Sequence, residues 1–202
     1  MINKPKYKTA RRLGANIFDK TQGQKFADRE ARKKMDKKRP RPKSDFGLQM
    51  LEKQKAKATY GVNERTFAKY VKSILEKSGA NSPEKLVSIL ESRLDNVIYR
   101  LGLACSRQAS RQMVSHGHIM VNDLKVTIPS YGVNIGDKIT IRESSAKKGI
   151  FSDIDNKLKD HNYPSWLTFD IVKKECKVQG APKLAVLETN FDPAAVLNFY
   201  SR

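Results

Sequence analysis

Cysteine is almost missing from this sequence: only Cys105 and Cys176 occur in 202 residues. They are far apart and in no metal-type spacing, which excludes a zinc ribbon or a disulfide framework. Two separate thiols in a reducing compartment are expected. Long apolar runs are missing as well. Nothing approaches the roughly 18 residues that a bilayer span needs, and the basic start MINKPKYKTARRLG has no apolar stretch of the secretory kind. The expected location is cytoplasmic. Acidic side chains are scarce, 21 against 40 Lys and Arg, and mostly alternate with lysine. No nucleophile with its base and no carboxylate pair can be assembled from them. The sequence therefore reads as that of a non-enzyme, without cofactor, small-molecule substrate or metal. His116 and His118 form an HxH pair, but no acidic or thiol partner is spaced to complete a site. His161 shows no partner.

What is present is positive charge. The formal net charge is +19, and residues 1–60 hold 19 Lys/Arg against 6 Asp/Glu, a net of +13. A surplus of this size points to a polyanionic partner, nucleic acid before an acidic membrane face. A hydrophobic content of 39% permits a core, though a thin one.

Residues 1–43 are dense in Lys and Arg and end in KKRPRPK. Their mutual repulsion and their prolines predict a basic, extended segment, in which only ANIFDK and FADREARKKM could form short helices. A helical subdomain is expected over 44–92. Ser44 suits an N-cap and Gly61 a helix stop. Asn63 suits the next N-cap, with Val62 and Phe67 as a hydrophobic staple and Gly79 as the stop. Ser82 caps a further helix with Pro83 at its first position, and the run to Leu101 is one helix or two joined near Glu91–Ser92.

The stretch CSRQASRQMVSHGHIMVN, Cys105 to Asn122, predicts a short helix, a stop at Gly117 and an immediate strand. Ala109, Ser110, Met113 and Val114 fall on one arc, with Arg107 and Arg111 at its edge. In the helix before it, Leu94, Val97, Ile98 and Leu101 share a face flanked by Arg93, Asn96 and Arg100. Asn122-Asp123 turns the first strand into a hairpin, and KITIR forms another strand with Ile139 and Ile141 inward. Two short helices on a twisted sheet would then hold planar arginine forks at fixed separations, the arrangement that phosphates along an RNA require. The module is expected over 93–145 and a C-terminal extension over 146–202. In that extension Trp166 and Phe169 anchor a small core, and Asp192-Pro193 opens a helix. Tyr60 is a candidate for stacking on a base. The overall class is α+β.

The segment SRLDNVIYRLGLACSRQASRQMVSHGHIMVN resembles the RNA-binding module named after small-subunit ribosomal protein S-four. SDFGLQMLEKQKAKATYGVNERTFAKY resembles the helices that precede it in the bacterial-type family, and SWLTFD with LNFYSR resembles that family's C-terminal end. The resemblance implies a primary binder of small-subunit ribosomal RNA that docks at a multi-helix junction early in assembly. It lies near the channel through which messenger RNA enters, beside ribosomal small-subunit protein five, and it leaves messenger RNA open as a further partner. Carried over by position, the RNA-binding residues are Arg93, Arg100, Arg107, Arg111, His116 and Lys125 of the module. The upstream helices add Lys53, Lys55, Lys57, Arg65 and Lys69, and the tail adds Arg11 and Arg12. The chain departs from the family in lacking its N-terminal cysteine cluster, which makes it a zinc-free form. It also carries Asp123 where relatives usually have glycine, and it diverges at GAPKLAVLETNF. A regulatory RNA binder off the ribosome and an RNA-modifying enzyme are the rival readings.

Overall fold

The structure is a computed structural model that describes residues 5–35, 42–77, 82–146, 149–151, 158, 161–170, 173–183 and 189–201. Gly79, most of KKRPRPK and part of the divergent GAPKLAVLETNF stretch lie outside these. The chain divides into two compact units, residues 1–86 with 188–202, and residues 87–187. These boundaries differ from the sequence-based ones. The C-terminal 57 residues do not form one extension but are shared between the two units.

The first unit is helical. Helix α1 spans Lys6–Leu13, α2 Gln24–Met35, α3 Asp45–Tyr60 and α4 Glu64–Glu76, and the chain returns with α9, Pro193–Tyr200. The expected caps are in place. Ser44 accepts from the Gly47 N–H, and Gly61 ends α3 at φ 62°. Asn63 accepts from Thr66, and Asp192 accepts from Ala194 ahead of Pro193. Ser44, Asn63 and Asp192 each satisfy a backbone donor that a helix start leaves open, and the Gly61 N–H donates to the Lys57 carbonyl at the end of α3.

The α1 helix contradicts the extended reading of the basic tail. Four charges in eight residues argue against an isolated helix, but Ala10, Leu13, Ile17 and Phe26 are buried. Tyr7 stacks on Phe26 at 5.8 Å between ring centres, and the Arg11 guanidinium lies over the same Phe26 ring, 5.7 Å from its centre. Arg11 Nε also donates to Glu30 at 2.6 Å. Tertiary burial outweighs the self-repulsion that the composition suggests.

Helix α9 packs on α3 and α4. Phe46 meets Phe199 at 5.3 Å, Tyr60 meets Phe191 edge-on at 6.1 Å, and Phe67 meets Tyr200 at 6.2 Å. Tyr60 is therefore a buried core residue, 5% exposed, and not a platform for a base. Polar contacts fasten the same helix. The Tyr200 hydroxyl donates to Glu64 Oε1 at 2.6 Å, and the Asp192 N–H donates to Glu52 at 2.9 Å.

Partial burial pushes the Glu64 carboxyl up. Hydrogen bonds from Lys57, Tyr200 and Lys53, with the Lys57 charge, outweigh it and hold the group at about 2 against an ordinary 4.5. A depressed carboxyl stabilises the fold above its unfolded value, and that contribution is lost as pH falls from about 4.5 towards 2. Glu64→Gln should therefore flatten the loss of thermal stability across that window relative to wild type. Melting curves taken from neutral pH down to pH ~2 check this.

The second unit carries α6 (Leu94–Arg100), α7 (Arg107–Ser115) and a five-stranded antiparallel sheet in the order β2-β1-β3-β5-β4. The strands are β1 Ile119–Val121, β2 Leu124–Lys125, β3 Lys138–Ile141, β4 Leu167–Asp170 and β5 Glu175–Val178. A short α8, Glu143–Ala146, follows β3. The run that could be one helix or two is two. Helix α5, Ser82–Glu91, begins at Ser82 itself, and α6 starts after Arg93. No side chain caps α6. Its first donors are met by a loop instead, Leu94 N–H to the Tyr131 carbonyl at 2.8 Å and Asp95 N–H to the Pro129 carbonyl at 3.1 Å.

The predicted hairpin forms, with Asn122 at φ 50° and Asp123 at φ 64°. Both central residues are left-handed, as a two-residue turn between twisted strands requires, and Asn and Asp tolerate this best after glycine. Leu94, Val97, Ile98, Leu101, Met113, Val114, Ile119 and Ile139 join one core with Trp166, Leu167, Cys176 and Val178. Burial pushes the Cys176 thiol up to about 12, so it behaves as a small hydrophobe there. Trp166 is buried, but in this shared core and not in the separate small C-terminal core expected from the sequence. Phe169, half-buried, stacks on Tyr163 at 5.8 Å. The architecture is α+β, and β4 and β5 widen the module's sheet beyond the predicted 93–145.

Candidate nucleic-acid interface

Positive side chains are abundant, and their partners within the protein decide which of them can meet a phosphate. Arg93, expected at the interface, is 3% exposed. It ends in Asp95 of the helix that follows it, Nη2 to Oδ2 at 2.6 Å and Nε to Oδ1 at 3.1 Å. Its place is in the module's scaffold. A cation here is tolerated because a carboxylate two residues on pairs with it.

Arg100 is engaged in the same way. Its Nε and Nη2 donate to the two oxygens of Glu91 at 2.9 and 2.8 Å. Glu91 is fully buried, so this planar pair closes the joint between α5 and α6. The Arg100 backbone carbonyl contacts His161 Nε2 at 2.8 Å, which supplies the partner that was not visible for His161.

Asn96, 2% exposed, links the two helices of the module. Its amide nitrogen donates to Glu91 Oε2 at 2.6 Å, and its oxygen accepts from Arg107 Nε at 2.8 Å. The Arg107 guanidinium also lies 4.3 Å from the centre of the Tyr99 ring. One turn on, Arg111 keeps 38% of its side chain exposed, with Nη1 3.9 Å from Asp95 Oδ2. Residues four apart lie on one helix face. Arg107 and Arg111 are thus partly exposed forks one turn apart, resting on Asn96, Tyr99 and Asp95.

The end of α7 adds two further groups. His116 is exposed and lies 5.9 Å from the ring of His118. His118 is buried, with Nδ1 2.9 Å from Ser145 Oγ. No group of three or more metal-ligating residues forms among the described residues. Exposed Lys125 on β2 crosses close to Gly117, where an added Cβ would stand 2.3 Å from Lys125 Cε. Gly117 has φ 70°, so the helix-to-strand corner needs glycine for its backbone, while the exposed lysine stem beside it is free to shift. Gly117→Ala should destabilise the module by about 1–2 kcal/mol from the left-handed backbone alone. Denaturant titration of the variant measures that loss.

In the helical unit three expected contacts are committed elsewhere. Lys53 is 8% exposed. Its Nζ donates to Glu64 at 3.0 Å and lies 4.2 Å from the Phe199 ring centre, so it holds α9 in place. Lys57 pairs with the same Glu64, and Lys55 pairs with Glu52 at 2.7 Å. Their side chains are 16% and 18% exposed. Arg65 and Lys69 are exposed, one turn apart on α4, and Arg12 is exposed at the end of α1. Arg11, also exposed, is shared with Glu30 and Phe26.

Two families match the chain, and between them they cover most of it. The family described as S4 domain matches residues 92–139, and the family described as Ribosomal protein S4/S9 N-terminal domain matches residues 2–91. Similar curated proteins include the small ribosomal subunit protein uS4 of Laribacter hongkongensis. It is 38% identical over 205 aligned positions, spanning 98% of this chain and 97% of the relative. The uS4 protein of Halothermothrix orenii is 43% identical over 159 residues, 79% of this chain and 76% of its own. The chain belongs to the small ribosomal subunit protein uS4 family. The S4 domain match covers α6, α7, β1 and β2, and the matched residues include Arg107, Arg111, His116 and Lys125.

What the sequence reading of this uS4 family member missed are the partners, Glu91, Asp95 and Asn96. Glu91, Asn96 and Arg100 sit five and nine residues apart across a helix break, which matches no helical period. The one available signal was acidic and amide residues set among the leucines of a buried face, where an unpaired polar group is costly.

Proposed function

We propose that this chain is a structural component of the small ribosomal subunit that binds its ribosomal RNA through the S4 domain. The observation that carries the reading is the Arg107–Arg111 pair, half-exposed on α7 and braced by buried polar partners. His116 and Lys125 extend that surface on the same unit. On the helical unit Arg65, Lys69, Arg12 and Arg11 supply phosphate contacts, and Lys53, Lys55 and Lys57 act through the fold. The +19 charge adds long-range attraction that any RNA feels. Double-stranded RNA hides its bases in a deep, narrow groove, so shape and phosphate positions govern recognition.

The finer reading follows from the family resemblance. The protein docks early at a multi-helix junction of the small-subunit RNA and nucleates assembly there. It sits beside ribosomal small-subunit protein five, near the channel through which messenger RNA enters, in the cytoplasm. It performs no catalysis. Sedimentation of a cell lysate tests the reading: the protein should travel with the small subunit and not remain free. A protein found mainly outside subunits, bound to messenger or transfer RNA, would make it a regulatory binder instead.

A further inference from the structure

Asn96 stands between two charged groups with different surroundings. Its amide nitrogen donates to the Glu91 backbone carbonyl at 3.2 Å and to Glu91 Oε2 at 2.6 Å. A carbonyl and an ionised carboxylate can only accept, so the amide has one possible orientation. Its oxygen is thereby turned to the other side, where Arg107 Nε–H donates to it at 2.8 Å. Glu91 cannot swing away, because it is fully buried and gripped by Arg100 at both oxygens. The Tyr99 ring lies 4.3 Å from the Arg107 guanidinium carbon. A bond at Nε sets the direction of the guanidinium, and a ring beside it sets the tilt.

We infer that Asn96, locked by Glu91, is a positioning residue that aims the Arg107 guanidinium at a phosphate of the bound RNA. This rests on the reading of Arg107 as an RNA contact. An arginine that is already held loses little rotamer freedom when it binds, whereas a loose one must lose it then. Bidentate phosphate recognition also depends on the orientation of the guanidinium plane. The buried chain from Arg100 through Glu91 and Asn96 to Arg107 therefore carries the rigidity of the module's core out to its surface.

The test is a double-mutant cycle on the full chain, with an in vitro transcript of the small-subunit ribosomal RNA as the probe. Arg107→Ala should weaken binding at least about tenfold. Asn96→Ala should weaken it about fivefold in the wild-type background and add almost nothing once Arg107 is gone. The Arg107 Nε–H resonance, slow to exchange with water in the wild type, should exchange fast in Asn96→Ala. Because that change also strips a donor from buried Glu91, Tyr99→Leu serves as a second variant. It leaves the Glu91–Asn96–Arg100 bonds in place and should show the same dependence on Arg107. Equal losses with and without Arg107 would overturn the inference and leave the RNA contact standing. An Arg107→Ala variant that binds as tightly as wild type would instead overturn the contact itself.

Discussion

Glu91→Ala is expected to unfold the 87–187 unit or leave it barely stable. Removing one partner of a buried ion pair costs about 3–5 kcal/mol, because the other charge stays behind uncompensated. Arg100 would lose both of its carboxylate bonds, and Asn96 would lose one acceptor of its amide nitrogen. Domains of this size are stable by only about 5–15 kcal/mol. Chemical denaturation followed by the fluorescence of Trp166, which is buried in this core, would report the loss. Full wild-type stability in Glu91→Ala would mean that the network is incidental. Met113→Asp sets the reference for loss of the fold, since it places a charge at a position 6% exposed.

The second large effect is expected on RNA and not on the fold. Replacing Arg107 and Arg111 together by alanine should weaken RNA binding by roughly two orders of magnitude. Charge-assisted bonds contribute about 1.5–3 kcal/mol each, and the lower end applies because Arg111 already shares Asp95. Both side chains are partly exposed, and Ser110, Met113 and Val114 hold α7 in place without them. The circular dichroism spectrum should therefore match that of the wild type. An unfolded double variant would show that the pair is part of the scaffold, as Arg93 is.

Arg93 shows where a sequence reading of such a module fails. The helical period put Arg100 on the flank of α6, where the structure has it, and Arg93 stands one residue before that helix, but a period cannot say whether a side chain meets water or a carboxylate. Their partners, Asp95 and Glu91, lie in the first turn of α6 and at the end of α5, where burial and not spacing decides the pairing. Lys53 fails for the same reason: Glu64 and Phe199 reach it from α4 and from a helix almost 150 residues later. Local chemistry was legible. Ser44, Gly61, Asn63 and the Asn122-Asp123 turn each act within four residues, so the chain states them directly. The core face of α6 and the arc of α7 were legible from apolar period. Helix α1 was not, since its stability comes from Phe26 and from burial.

The arrangement leaves a division of labour among the cations. Some arginines and lysines spend their charge inside the protein and fix the geometry. Others, Arg107 and Arg111 foremost, are held at that geometry with surface to spare. The most direct test is the salt dependence of binding to small-subunit ribosomal RNA, measured for the wild type and for Arg107→Ala with Arg111→Ala. Each phosphate contact steepens the plot of log affinity against log salt by about 0.7–0.9, so losing two contacts should make it shallower by about 1.4–1.8. An unchanged slope would mean that neither guanidinium meets a phosphate, and the central claim would fall.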